Sequence, residues 1–260
     1  MLLYEKYTDI SESIVQKLRY GKAVVGIDSM IFKEHWSLEK KSELIDNLRE
    51  KIEEADGALG MIAIIKGIVK VGLTKKDIEF LGTCETLDVI KRKDIPYYIS
   101  KKLSGVVTFD AALLLGNLVG IRIFTTDYIG CEESDRNRRE YIYRELQEVA
   151  KKNIIIIASG VKNYVELGIM KKCLEEYSIP MIGYQLDDVP LGVKSAEKEG
   201  PDYRFNTPLE IVEFIKVKWE FGINGGVIIL NNFQNKSKKF ERVIYNASLG
   251  TLLGNSLQNI

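Results

Sequence analysis

Short apolar runs alternate with amphipathic stretches along most of the chain. Ala23-Val24-Val25-Gly26-Ile27-Asp28 predicts a strand. From Leu38 to Glu54 charges fall on one side, and Leu38, Ile45, Leu48 and Ile52 on the other, which predicts a helix. Met61–Ile65, then Lys66-Gly67, then Ile68–Gly72 predicts a β-hairpin. Thr74 is placed to cap a short helix. A helix starting near Asp94-Ile95-Pro96 ends near Leu103–Gly105, followed by a brief strand or turn at Val106–Thr108. An apolar helix follows over Asp110–Val119, then a strand over Ile121–Thr126 and a charged helix over Arg138–Lys152. Ile154–Ile157, Pro180–Tyr184 and Gly225–Leu230 predict later strands, and Thr207-Pro208 a helix start. Strands alternating with helices predict a mainly parallel sheet covered on both faces. No long linker, low-complexity tract or repeat interrupts the pattern, so residues 1–260 read as a single α/β domain.

Composition narrows the functions. Lys plus Arg and Asp plus Glu balance at 37 each, which argues against nucleic-acid or membrane binding driven by bulk charge. A local basic pocket for one phosphate stays open. Cys84, Cys131 and Cys173 are widely spaced and form neither a metal-ligand motif nor a disulfide framework. The start Met1-Leu2-Leu3-Tyr4-Glu5-Lys6 lacks the apolar core of a signal peptide, and no stretch approaches transmembrane length. A cytoplasmic location is therefore expected. His35 is the only histidine, so a histidine-rich zinc site is a poor fit, and a Ser-His-Asp triad would have one possible base.

Four isoleucines, Ile154 to Ile157, read as a strand buried on both faces. Ala158-Ser159-Gly160-Val161 ends it, Lys162 follows, and a helix comes next. That puts a lysine beyond the carboxyl end of a buried strand, where open α/β sheets bind ligands. A desolvated lysine there becomes a nucleophile able to form a Schiff base with a sugar or keto group. The alternative is a surface lysine in the first turn of a helix. Asp28, also at a strand end, is placed for general acid–base work; capping a turn, together with Ser29, is the alternative. Thr125 to Asp135 is an acidic loop that either binds a cation or is simply solvated. Gly222-Ile223-Asn224-Gly225-Gly226 reads as a tight turn rather than a ligand approach. Trp36 and Trp219 read as core or interface residues.

Several segments, taken in order, resemble the pseudouridine-5'-phosphate glycosidase family, also called indigoidine synthase A-like. They are Val24–Ser29, Ile62–Leu73, Lys93–Pro96, Gly120–Phe124, Glu145–Ala150, Ser159–Lys162, Ile179–Tyr184 and Asn224–Gly226. The resemblance implies an α/β/α sandwich assembled as a homotrimer. It also implies reversible cleavage of pseudouridine 5'-phosphate, or a related small molecule, to uracil and ribose 5-phosphate. The ribose ring opens, a lysine forms an imine at C1', and the imine serves as electron sink for the departing carbon. Lys162 matches that lysine, and Asp28 stands where the family has a glutamate proton donor; the two are expected to face one cleft.

Other positions depart from the family pattern. The resemblance places the substrate contacts at Phe109, Thr126, Tyr143, Arg144 and Glu145. Phe109 replaces a smaller apolar residue, Tyr143 a serine and Glu145 an aspartate. Val89 replaces a substrate-binding lysine, and Thr126 to Ser134 replaces a glycine-rich stretch. The manganese expected of the family has its aspartate ligand replaced by Tyr141, a poor ligand for a hard cation. The chain also stops before most of the family's C-terminal helical segment, with Ser256–Ile260 resembling a remnant. Two functions are left open: a C-glycosidase or lyase working through Lys162, and a catalytically impaired relative that binds a ligand or partner protein.

Overall fold

Most apolar runs become buried strands, as their pattern predicts. The computed structural model describes residues 5–130, 138–193, 195–231 and 239–257. It divides into two compact units, Met1–Arg122 and Ile123–Ile260.

In the first unit, β1 (Thr8–Ile10) and α1 (Glu12–Arg19) precede β2 (Val24–Ile27), whose residues are all buried. Helix α2 spans Leu38–Glu54, and its Ser37 cap accepts the Lys40 N–H. Ile45, Leu48 and Ile52 are fully buried, each contributing roughly 1.5–3 kcal/mol. β3 (Ala58–Ile65) and β4 (Ile68–Val71) form the predicted antiparallel hairpin, Ile65 opposite Ile68. Lys66 (φ 52°) and Gly67 (φ 75°) both take the left-handed conformation of a two-residue hairpin loop. α3 (Lys75–Thr83) starts with a capping box between Thr74 and Asp77. β5 (Asp88–Ile90), α4 (Ile95–Ser100), β6 (Gly105–Val107) and α5 (Phe109–Leu118) complete the unit. β2 pairs parallel with β3, β1 with β4 and β5 with β6, while β6 joins β3 antiparallel.

The second unit holds β7 (Ile123–Thr125), β8 (Tyr128–Ile129), α6 (Arg138–Lys151), β9 (Ile155–Ala158), β10 (Gly160–Val161) and α7 (Tyr164–Tyr177). β11 (Met181–Tyr184), β12 (Tyr203–Phe205), α8 (Pro208–Glu220), β13 (Val227–Asn231) and α9 (Lys239–Ser256) follow. Its sheet runs β7-β9-β13-β11-β12, every pairing parallel. β13, late in the chain, inserts between β9 and β11, so neighbouring strands are joined by crossovers. All of β9 and β13 is buried, as a strand covered on both faces requires. The α/β class with a mainly parallel sheet is as expected. No helix among the described residues is long and apolar enough to cross a membrane.

Candidate active site

Chemistry in the second unit gathers at the carboxyl ends of β7, β9 and β13. Past those ends the chain makes a second, two-residue ladder: β8 pairs parallel with β10, Gly160 opposite Tyr128 and Val161 opposite Ile129. Lys162 comes directly after it. Its N–H donates to the Ile129 carbonyl at 3.0 Å, and its own carbonyl accepts the Val193 N–H at 2.9 Å. The helix begins only at Tyr164, with Asn163 as cap accepting the Glu166 N–H. Lys162 is therefore not a residue of the first turn; it is half-buried and held by backbone bonds on both sides.

Two glycines make this possible. Gly160 has φ +152°, and a side chain there would strike the Pro190 carbonyl, which accepts the Val161 N–H. Gly130 has φ +131°, and a side chain there would collide with Glu166 Oε2. The alanine-serine-glycine sequence after the isoleucines thus does more than end a strand: it lets one loop lie against another.

A polar network sits at the same edge. Asp127 accepts two bonds from Arg242, from Nε at 2.6 Å and Nη2 at 2.8 Å. The guanidinium also lies over the Tyr128 ring, 5.1 Å from its centre. Burial pushes the Tyr128 phenol pKa up, against the opposing effect of Arg242. Asn246 donates to the Thr126 carbonyl and to Ser159 Oγ, both at 3.0 Å, and accepts from Asn231 Nδ2 at 3.3 Å. Ser159, Asn231 and Asn246 are at most 2% exposed. The network ties α9 to the ends of three strands. Sequence reading missed Asp127, Arg242, Asn246, Ser159, Asn231 and Glu166 as participants. The available signal was polar residues at strand ends, but their partners lie more than 80 positions away in the sequence for Asn246–Ser159 and Arg242–Asp127.

The other expected site residues fall as follows. Thr126 is half-buried at the edge, its N–H bonded to the Ile157 carbonyl. The Tyr143 hydroxyl donates to Glu176 at 2.8 Å and its ring stacks edge-on with Tyr177. It is occupied at the last turn of α7, the end opposite Lys162. Tyr141, Arg144 and Glu145 belong to α6, but their side chains lie outside the described residues, as do Cys131 to Ser134. Among the described residues no group of three or more His, Cys, Asp or Glu is placed to hold a metal ion. A phenol at the family's aspartate position is an ill-suited donor for manganese. Among the described residues Cys84 and Cys173 are not joined in a disulfide.

In the first unit, Asp28 is half-buried just past β2, and its Oδ1 accepts the Met30 N–H at 2.8 Å. Ser29, fully buried, accepts the Val107 N–H at 2.9 Å. Asp28 makes the local turn contact expected of a cap, which orients its carboxylate without fully enclosing it, whereas the Ser29 hydroxyl makes no cap bond and ties the turn to β6 instead. Val89 on β5 pairs opposite Val106 and is half-buried. Phe109 opens α5 and is buried. Trp219 is core, its Nε1 bonded to the Gly225 carbonyl. Trp36, by contrast, is exposed, since the segment after Phe32 leaves the core.

The family model described as indigoidine synthase A like protein matches residues 13–251. A pseudouridine-5'-phosphate glycosidase of Petrotoga mobilis is 31% identical over 259 residues, covering 96% of this chain and 85% of the relative. The enzyme of that name from Hahella chejuensis is 33% identical, covering 86% and 75%. In fold, the chain is similar to an indigoidine synthase A-like protein of Thermotoga maritima, with TM-score 0.77, 18% identity and 97% of each chain covered. It is also similar to prealnumycin C-glycosynthase in complex with ribulose 5-phosphate, with TM-score 0.75, 20% identity and 97% and 92% covered. With its match running from α1 into α9, this chain belongs to the indigoidine synthase A-like family of pseudouridine-5'-phosphate glycosidases.

Proposed function

We propose that this protein is a C-glycosidase that reversibly cleaves pseudouridine 5'-phosphate, or a close relative, to uracil and ribose 5-phosphate. The observation that supports it most is the seating of Lys162: a lysine pinned beyond the carboxyl edge of a parallel sheet. The bond to be broken is carbon–carbon, so protonating a heteroatom leaving group cannot suffice. An imine between Lys162 and C1' of the opened ribose supplies the missing electron sink. Asp28 is the proposed proton donor to the departing base carbon; its arm is one methylene shorter than the family's glutamate. A displacement of about 1 Å at a reacting centre can cost on the order of a hundredfold in rate, so a slow enzyme is expected. The chain is expected to act as a homotrimer, to be checked by light scattering.

Val89 favours a second reading. A strand valine stands where the family binds substrate through a lysine, which weakens recognition of a phosphate and suits a binding protein that has lost turnover. Product analysis separates the two. Incubation with pseudouridine 5'-phosphate, and in reverse with ribose 5-phosphate plus uracil, yields the expected products on the first reading. Folded protein that converts neither and forms no borohydride-trapped adduct supports the second.

A further inference from the structure

Glu166 is a fully buried carboxylate on the second unit's α7. It occupies the third helical position, where an acidic side chain ordinarily reaches back to the cap N–H. Asp77 in α3 and Glu210 in α8 both do so, from more exposed positions. In α7 the cap Asn163 accepts the Glu166 N–H, but the Glu166 carboxylate is turned to the glycine at position 130. The point where a Gly130 Cβ would stand is 3.1 Å from Glu166 Cδ and 3.3 Å from Lys162 Cβ. Carboxylate and lysine stem thus flank the same bare glycine. Burying a carboxylate is costly unless something compensates it. The α7 N-terminus offers part of that compensation, and an ammonium carried on the neighbouring stem has the sign to add to it.

We infer that Glu166 is a positioning residue for Lys162 and the local acceptor of its proton. The inference rests on the proposed role of Lys162. As the open-chain sugar arrives, the ammonium proton passes to the Glu166 carboxylate. The freed nitrogen lone pair bonds to the carbonyl carbon, and the carbonyl π pair moves to oxygen, which takes a second proton from nitrogen. The proton held by Glu166 then returns to that hydroxyl, directly or through a water molecule. The hydroxyl departs as water while the remaining nitrogen lone pair forms the C=N bond. One water is released, the imine keeps one N–H, and the carboxylate is regenerated.

The test is the rate of borohydride-trapped adduct formation at Lys162 with ribose 5-phosphate, followed by mass spectrometry across sugar concentrations. Glu166→Gln keeps shape and removes the acceptor. Its limiting rate is expected to fall about a hundredfold, within the range of general acid–base effects, with the half-saturating sugar concentration unchanged. Glu166→Asp should recover part of that rate. If Glu166→Gln does not fold, Glu166→Asp alone decides: slower trapping at unchanged half-saturation supports the assignment, and wild-type kinetics overturn it. A folded Glu166→Gln with the wild-type limiting rate also overturns it while leaving Lys162 in place. Absence of any Lys162 adduct in the wild type overturns both assignments together.

Discussion

Two lysines of the second unit make the clearest comparison. Lys218 on α8 is the more deeply buried, and burial lowers its pKa. By the desolvation argument alone it would be the better nucleophile. Its Nζ, however, donates to the carbonyls of Ile223, Asn224 and Gly225 at 2.8, 3.0 and 2.8 Å. All three protons are engaged, and the Gly222–Gly226 turn is wrapped around the amine. Lys162 is only half-buried, and the fold holds its backbone through bonds to Ile129 and Val193. Burial identifies a lysine that matters; for Lys218 the three carbonyls around its nitrogen show that it holds structure.

The sharpest way to break the comparison is to remove each amine in turn. Lys162→Met is expected to abolish the borohydride adduct and turnover in protein that still folds by circular dichroism. Adducts spread over many lysines would mean that its setting confers nothing. Next in size, Asp127→Ala strips Arg242 of its two-bond partner beside the Lys162 loop. The pair is largely but not wholly buried, so a loss of about 2–3 kcal/mol is expected in urea unfolding. An unchanged midpoint would show that α9 is not anchored there. Lys218→Met removes the ammonium donor from three carbonyls, of which Gly225 keeps its bond from Trp219 Nε1, and should cost about 1–3 kcal/mol while leaving the Lys162 adduct intact. Because desolvation lowers the Lys218 pKa, the unfolded chain binds the extra proton between that lowered value and 10.5. Stability should therefore rise with pH in that window, and Lys218→Met should lack the rise.

The smallest effect belongs to an exposed carboxylate and the two lysines beside it. Lys17 and Lys22 both pair with Asp56 and hold its carboxyl down at about 2, from 3.8. A depressed carboxyl pKa contributes stability above pH 3.8 that is lost as pH falls towards about 2. Solvent screening keeps the contribution slight. Asp56→Asn, which suits the left-handed backbone there (φ 61°), should flatten the acid limb of the stability curve in that interval alone.

Much of this was legible in the chain because it is local. Helix α2 is bounded as predicted, since its charges segregate cleanly from Ile45, Leu48 and Ile52. The hairpin followed from two apolar runs around Lys66-Gly67. The buried isoleucine strand with a lysine after it was equally legible, and it is what marks the candidate site. Helix α9 escaped notice because Val243, Ala247, Leu249, Thr251 and Leu253 are all buried, so its apolar residues do not confine themselves to one stripe. β12 is three residues with exposed Tyr203 and Arg204, too short and too polar to announce a strand. The network at the sheet edge was invisible for another reason. Asp127 and Arg242 each look like ordinary surface charges until the fold closes 115 positions between them. Glu166 looked like one more polar residue in a helix's first turn, because its burial is set by where Gly130 runs.

The two-residue ladder of β8 and β10 has a kinetic meaning. A lysine that must bond to a sugar carbon loses freedom in its backbone and in its side chain. At Lys162 the amide and carbonyl are both engaged before any ligand arrives, so the backbone share, of order 1–2 kcal/mol per residue, is already lost on folding. The other share is rotation about the four bonds of the stem, worth at most about 2 kcal/mol. The amide hydrogen of Lys162 should accordingly exchange with solvent slowly, even though the side chain it carries is within reach of water.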